Sequence, residues 1–229
     1  MSGAIATGLS GTDPFVYDPV YRLLNLAAEA YRSAMAAETQ SSPDRDAFSD
    51  EALVESIVSN GSQQHFRALM ARYKTRVHHL ALSVLGPGKQ AMAEDAAQEI
   101  FIKLYQRLGS FRGDSKFSTW LYRIAINTAI DFKRSNARHE HDELSEHTIP
   151  EALQGAPISI EDRDQAEAVQ KAIAKLPQAQ RMMVYQYYWL DLKMREIAEI
   201  LGCPEGTVKV YLLRARKALA DQLGAPGND

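Results

Sequence analysis

Hydrophobic residues recur every three or four positions through most of the chain, and over residues 49–137 they never alternate as in a half-buried strand. The clearest run is Phe66, Leu69, Met70, Tyr73, Val77, Leu80, Ala81 and Val84, one face of a long helix that Gly86-Pro87-Gly88 stops. Upstream, Ser49 is placed to cap a short helix with Leu53, Val54, Ile57 and Val58 inward, ending at Asn60-Gly61. Downstream, Ala93, Ala97, Ile100, Leu104 and Leu108 line one side of a third helix, and Glu94, Asp95, Gln98 and Glu99 line the other. Gly109 to Phe117 reads as a loop, and Ser118 as the cap of a helix from Thr119 to about Arg134. Residues 49–137 are thus predicted to be an all-α block.

The periodicity lapses over 138–165, where Pro150, Gly155 and Pro157 break an acidic stretch that reads as a flexible tether. Helical spacing returns from Asp164 with Ala166, Val169, Ile173 and Leu176, and Pro177 opens another helix with Met182, Val184, Tyr185 and Tyr188. A short helix around Ile197, Ala198 and Leu201, a turn at Gly202–Gly206 and a helix from Thr207 to about Leu223 complete a second block, 166–224, before a tail at 225–229. The first 48 residues read as an appendage. Within it Tyr21–Tyr31 can form a helix with Leu24, Ala27, Ala28 and Tyr31 on its apolar face, and Met35 is an alternative start. The predicted fold class is all-α: two small helical domains joined by a flexible acidic linker.

A net charge of -3, from 26 cations and 29 carboxylates, first argues against a nucleic-acid partner. Its distribution reverses that. Residues 51–138 carry net +6, residues 168–229 net +3, and the strip 139–167 between them net -8. Hydrophobic content of 45% excludes wholesale disorder. A single cysteine, Cys203, excludes an intramolecular disulfide framework and suits a reducing compartment. No run reaches the roughly 18 apolar residues of a membrane span, and no secretory signal is legible, so a cytoplasmic location, without membrane insertion, is expected.

Two constellations remain. Glu196-Ile197-Ala198-Glu199-Ile200-Leu201-Gly202, followed by Thr207-Val208-Lys209, has the spacing of a helix-turn-helix. On its second helix Val208, Leu212, Ala215 and Leu219 form the inward stripe, with Lys209, Arg214, Arg216 and Lys217 off it. Arg and Lys read guanine and clamp phosphates; a solvated basic face is the plainer alternative. The other constellation is Phe111-Arg112-Gly113-Asp114-Ser115-Lys116-Phe117-Ser118-Thr119-Trp120-Leu121-Tyr122-Arg123-Ile124-Ala125-Ile126-Asn127, aromatics interleaved with cations as single-stranded nucleic acid requires. Asn127 can reach a base edge; Phe117, Trp120 and Ile124 can equally be core.

Together and in this order, the segments Ala93–Arg134 and Leu176–Leu219 resemble regions 2 and 4 of extracytoplasmic-function (ECF) sigma factors, dissociable subunits that direct bacterial RNA polymerase to promoters. The resemblance covers 49–137 and 166–222. It implies that Glu94, Asp95, Gln98 and Glu99 bind the clamp helices of the polymerase's largest subunit, and that region 4 meets the flap of the second-largest. It implies that Arg112, Asp114, Ser115, Lys116, Phe117, Trp120 and Asn127 form the pocket for a base flipped from the minus-ten element, with Arg123, Lys133 and Arg134 on backbone phosphates. Thr207, Lys209, Tyr211, Arg214, Arg216 and Lys217 are then the minus-35 surface, with Lys209 and Arg214 leading. The linker enters polymerase channels built to hold polyanion, and Glu140, Asp142, Glu143 and Glu146 supply the mimicry. An anti-sigma factor is expected as a further partner.

Departures stand at Lys193, where the family often places a capping Ser, so that the cap is either missing or supplied by Asp191, and at Val210-Tyr211, where Ser-Arg is common. The family pattern gives the N-terminal extension no role. A self-sufficient helix-turn-helix regulator is the alternative function. An enzyme using a metal held by His139, His141 and His147 is a third, against which these read better as solvated linker histidines. Cys203 reads as a small buried residue of the turn. With no Walker loop, nucleophile elbow or His-Glu-x-x-His, no cofactor, metal or catalytic role is expected.

Overall fold

The structure is a computed structural model that describes residues 20–29, 48–136 and 160–224. Among these there is no strand. A helix at residues 20–29 (α1) is followed by α2 (Asp50–Asn60), α3 (Gln63–Leu85), α4 (Gln90–Arg107), a 3-10 turn (Leu108–Ser110) and α5 (Phe117–Asn136). The second block comprises α6 (Ile160–Ala174), α7 (Gln178–Val184), a π turn (Tyr185–Trp189), α8 (Met194–Leu201) and α9 (Glu205–Leu223).

The N-terminal domain forms because four amphipathic helices share one apolar cluster. α3 supplies Leu69, Tyr73, Val77 and Leu80, against Ile100 and Leu104 of α4 and Leu121 and Ile124 of α5. α2 closes it with Leu53, Val54 and Ile57, whereas Val58, expected inward, is 53% exposed. The Ser49 hydroxyl accepts from Ala52 N at 3.2 Å, and Gly61 ends the helix in the left-handed conformation, φ 64°. Asp50 then ties α2 to α3 by accepting from Arg72 and from the Tyr73 hydroxyl.

The C-terminal domain gathers Val169 and Ile173 of α6, Val184 of α7, Tyr188 of the π turn, Ile197 of α8 and Val208, Leu212, Ala215 and Leu219 of α9. α6 starts at Ile160, within the stretch read as tether. α9 starts at Glu205, two residues before the expected Thr207. Here α1 joins: Val20, Leu24, Ala27 and Ala28 are buried in this same cluster. Tyr31, expected on that face, and His139, His141 and His147 lie outside the described residues.

The two domains are docked. Met182 of α7 and Ile200 of α8 are buried in the N-terminal domain's cluster, and Leu190, Leu192 and Leu201 pack beside them. Arg181 bolts the seam: its guanidinium donates to Ser83 O at 2.9 Å across the interface and to Leu176 O at 3.0 Å within its own domain. Burial lowers its pKa.

Candidate nucleic-acid interface

The loop before α5 is held by its rings. Phe111, Phe117 and Trp120 stack mutually at centroid distances of 5.3 to 5.9 Å, and Phe117 also meets Tyr73 at 5.8 Å. With both ends of the loop anchored, Arg112, Asp114 and Lys116 project into solvent, Ser115 is half-buried, and Gly113 takes φ 78°. Phe117 corrects one expectation. Its side chain is 0% exposed, because α5 begins at Phe117 and places it on the same inward stripe as Leu121 and Ile124; here it is core, and offers a base no ring face. Trp120 is half-buried, and Ile124 is core.

From Trp120, α5 brings Arg123, Asn127 and Arg134 to one exposed side at helical spacing. Lys133 leaves that side. Its ammonium donates to Val84 O at 3.0 Å and to Gln178 Oε1 at 2.7 Å, and burial, then Arg181 and Lys89, lower its pKa.

Two cations of this surface are engaged by the other domain. Lys116 Nζ lies 2.6 Å from Glu196 Oε1. An Arg123 Nη donates to Glu199 O at 2.8 Å, with the Glu199 carboxylate 3.8 Å away. α8 thus presents two carboxylates, one turn apart, to the cations of the α5 side. Burial works to raise the Glu196 pKa, but hydrogen bonds from Lys116 and the Lys193 N–H, with both their charges, outweigh it and hold the carboxyl below its usual range.

The helix-turn-helix is built as the spacing predicted. α8 ends at Gly202, φ 64°, and α9 runs outward from Pro204. Half-buried Cys203 packs on the domain's cluster within the turn. Lys193 is the N-cap of α8, and its ammonium cannot accept a hydrogen bond; the Glu196 carboxylate accepts from the Lys193 N–H at 2.9 Å, half of a capping box. Of the two alternatives the sequence left, a missing cap is the outcome: Asp191 sits at φ 53° before the helix, and no side chain caps it.

On α9, Lys209, Arg214 and Lys217 are exposed, with Val210 and Leu213 between them, and Thr207 and Tyr211 are half-buried. Arg216 corrects a second expectation. It is 3% exposed, on the inner side of α9, and cannot meet DNA there. The α9 face is therefore open while the α5 face is partly covered.

On α4, Glu94, Asp95 and Gln98 are exposed, and Glu99 is half-buried in an ion pair with Lys103 at 2.7 Å. Exposed Ile102 and Tyr105 extend this face, a signal sequence reading passed over because both break the apolar stripe. Among the described residues no group of His, Cys, Asp and Glu could hold a metal, and no helix is long and apolar enough to cross a membrane.

Comparison with known proteins agrees with this layout. Residues 69–139 match the model of "Sigma-70 region 2" and residues 166–219 that of "Sigma-70, region 4". The RNA polymerase sigma-H factor of Pseudomonas aeruginosa is 36% identical over 179 residues, 74% of this chain and 91% of that protein. The ECF RNA polymerase sigma-E factor of Escherichia coli K12 is 36% identical over 189 residues, 76% of this chain and 94% of the relative. Two solved structures share the fold. One is CnrH in complex with the cytosolic domain of CnrY (TM-score 0.55, 24% identity, 78% of this chain and 99% of that one). The other is the sigma factor RpoE with the anti-sigma factor NepR from Bartonella quintana (TM-score 0.58, 23% identity, 71% and 98%).

Proposed function

The chain belongs to the sigma-70 family, as a sigma factor of the ECF type, and from that premise we propose how its surfaces divide the work. It is an alternative sigma factor, which binds core RNA polymerase and recognises promoter DNA for transcription initiation. The α4 face of Glu94, Asp95, Gln98 and Glu99 meets the clamp helices of the largest subunit, and the C-terminal domain meets the flap of the second-largest. Lys209 and Arg214 lead the reading of the minus-35 duplex, helped by Thr207, Tyr211 and Lys217; one bidentate contact discriminates by about 1–3 kcal/mol. Arg112, Asp114, Ser115, Lys116, Trp120 and Asn127 receive a flipped minus-ten base, whose extrusion costs a few kcal/mol, while Arg123 and Arg134 hold phosphates. The acidic linker lies in the polymerase channels as a polyanion mimic. Catalysis belongs to polymerase, and the protein acts in the cytoplasm, where an anti-sigma factor holds it inactive.

The observation that carries this division is the pair of exposed cationic stripes, one on α5 and one on α9, on two domains matching regions 2 and 4 in family order. The docked arrangement adds a requirement: α8 must leave α5 before Lys116 and Arg123 can hold DNA. Run-off transcription with purified core polymerase over a genomic promoter library tests the whole. Defined start sites dependent on this protein are expected, and their absence overturns the reading. Asn127→Ala should relax or abolish minus-ten selection by more than tenfold while core binding is unchanged; equal loss of both would make Asn127 structural.

A further inference from the structure

Residues 20–29 are not a loose appendage. α1 buries Val20, Leu24, Ala27 and Ala28 to 1% exposure or less, in the apolar cluster of the C-terminal domain. These four fall at i, i+4, i+7 and i+8, a single stripe of helix. The Tyr21 ring meets Tyr188 of the π turn edge-on at 5.8 Å, while Arg22, Leu26 and Glu29 face solvent. Two alanines in the stripe keep its profile low, so the helix backbone can lie close to the domain. Neither family model reaches α1, since the matches span 69–139 and 166–219. A segment additional to both regions therefore fills an apolar groove on one of them.

We propose that α1 is a displaceable cover, built into the chain, over a helix-binding groove of the C-terminal domain, and that the competing occupant is an amphipathic helix of core polymerase. This rests on the reading that the domain docks on polymerase. A helix of about ten residues is marginal alone in water, so α1 owes its helicity to the groove. Residues 30–49, twenty in all, connect it to α2. A short connection of this kind gives an effective concentration on the order of millimolar. A contact of only about 100 μM strength then stays about nine-tenths closed within the molecule, yet yields to a tight partner, whose apparent affinity falls about tenfold, by the fraction of molecules left open. A chain begun at Met35 lacks the cover altogether.

The test compares full-length protein with the chain 35–229, using a fluorescent peptide of residues 18–36. The peptide should bind 35–229 one-to-one and full-length protein at least tenfold more weakly, and Leu24→Glu in the peptide should abolish binding. Chain 35–229 should bind core polymerase about tenfold more tightly than full-length protein, and added peptide should reverse the gain. Full-length Leu24→Glu should match 35–229 in both assays, which guards against truncation artefacts. A folded 35–229 that ignores the peptide overturns the proposal, as does a 35–229 that cannot fold, which would make α1 an integral part of the domain. Peptide binding with no change in core affinity overturns it too. Failure of the sigma-factor reading is distinguishable, because peptide binding would persist while neither chain started transcription.

Discussion

His79 lies inside the N-terminal domain on α3, and burial, reinforced by neighbouring His78, lowers its pKa to about 3. The unfolded chain takes up this proton near the ordinary histidine value of about 6.5, so between 6.5 and 3 the unfolded state binds more protons and stability falls as the pH falls. From pH 7 to 5 the loss from this group is about 2 kcal/mol. His79→Leu should flatten most of that slope in chemical denaturation across pH 5–7; an unchanged slope would place the titration elsewhere. His78, also lowered by burial, adds a smaller contribution of the same sign. Nothing in the sequence marks either residue, since a histidine within an apolar run looks the same whether buried or not. Arg216 was more legible than its charge suggested. It stands four residues after Leu212 and three before Leu219, so helical geometry puts it beside the inward stripe. Phe117 was misplaced for a different reason: a helix starting at Thr119 leaves it in a loop, whereas one starting at Phe117 sends it into the core.

The helices themselves were readable because each has an apolar stripe long enough to count, and their caps stand in sequence, as at Ser49 and Gly202. Starts were less so. Glu205-Gly206 resembles turn chemistry, yet Pro204 can open a helix and Glu205 suits the positive end of its dipole, which is how α9 gains two residues. The π turn at Tyr185–Trp189 has no sequence signature. α8 exposes a correctable weakness, since Lys193 provides no acceptor where Glu196 already returns its half of the capping box. Lys193→Ser should complete the box and stabilise the C-terminal domain by about 1 kcal/mol, seen as a raised unfolding midpoint. Lys193→Ala, which adds no acceptor, should show no such gain; equal gains would credit removal of the charge instead.

The docking of the two domains was not legible at all. Met182 belongs to a helix whose own stripe accounts for it, and Ile200 lies off the grouping of Ile197, Ala198 and Leu201, yet nothing in the periodicity says which second core either one joins. Charge segregation was visible, but it paired neither Lys116 with Glu196 nor Arg123 with Glu199, 80 and 76 residues apart. These rim pairs add to the apolar seam and the Arg181 bond that hold α8 against α5. Lys116 is 72% exposed, so each pair is worth the fraction of a kcal/mol typical of surface ion pairs, and the two together about 1 kcal/mol. Glu196→Gln with Glu199→Gln removes both charges, and the amide oxygen introduced by the first substitution can still accept from Lys193 N. The double variant should bind a single-stranded minus-ten oligonucleotide about fivefold more tightly at low salt, and the gain should shrink toward 1 M salt as screening replaces the lost carboxylates. Removing two negative charges anywhere also favours DNA, so Glu94→Gln with Asp95→Asn, on the exposed face of α4, is the control. If both double variants gain equally, net charge explains the effect; a gain confined to the α8 variant makes those carboxylates the gate on the α5 surface.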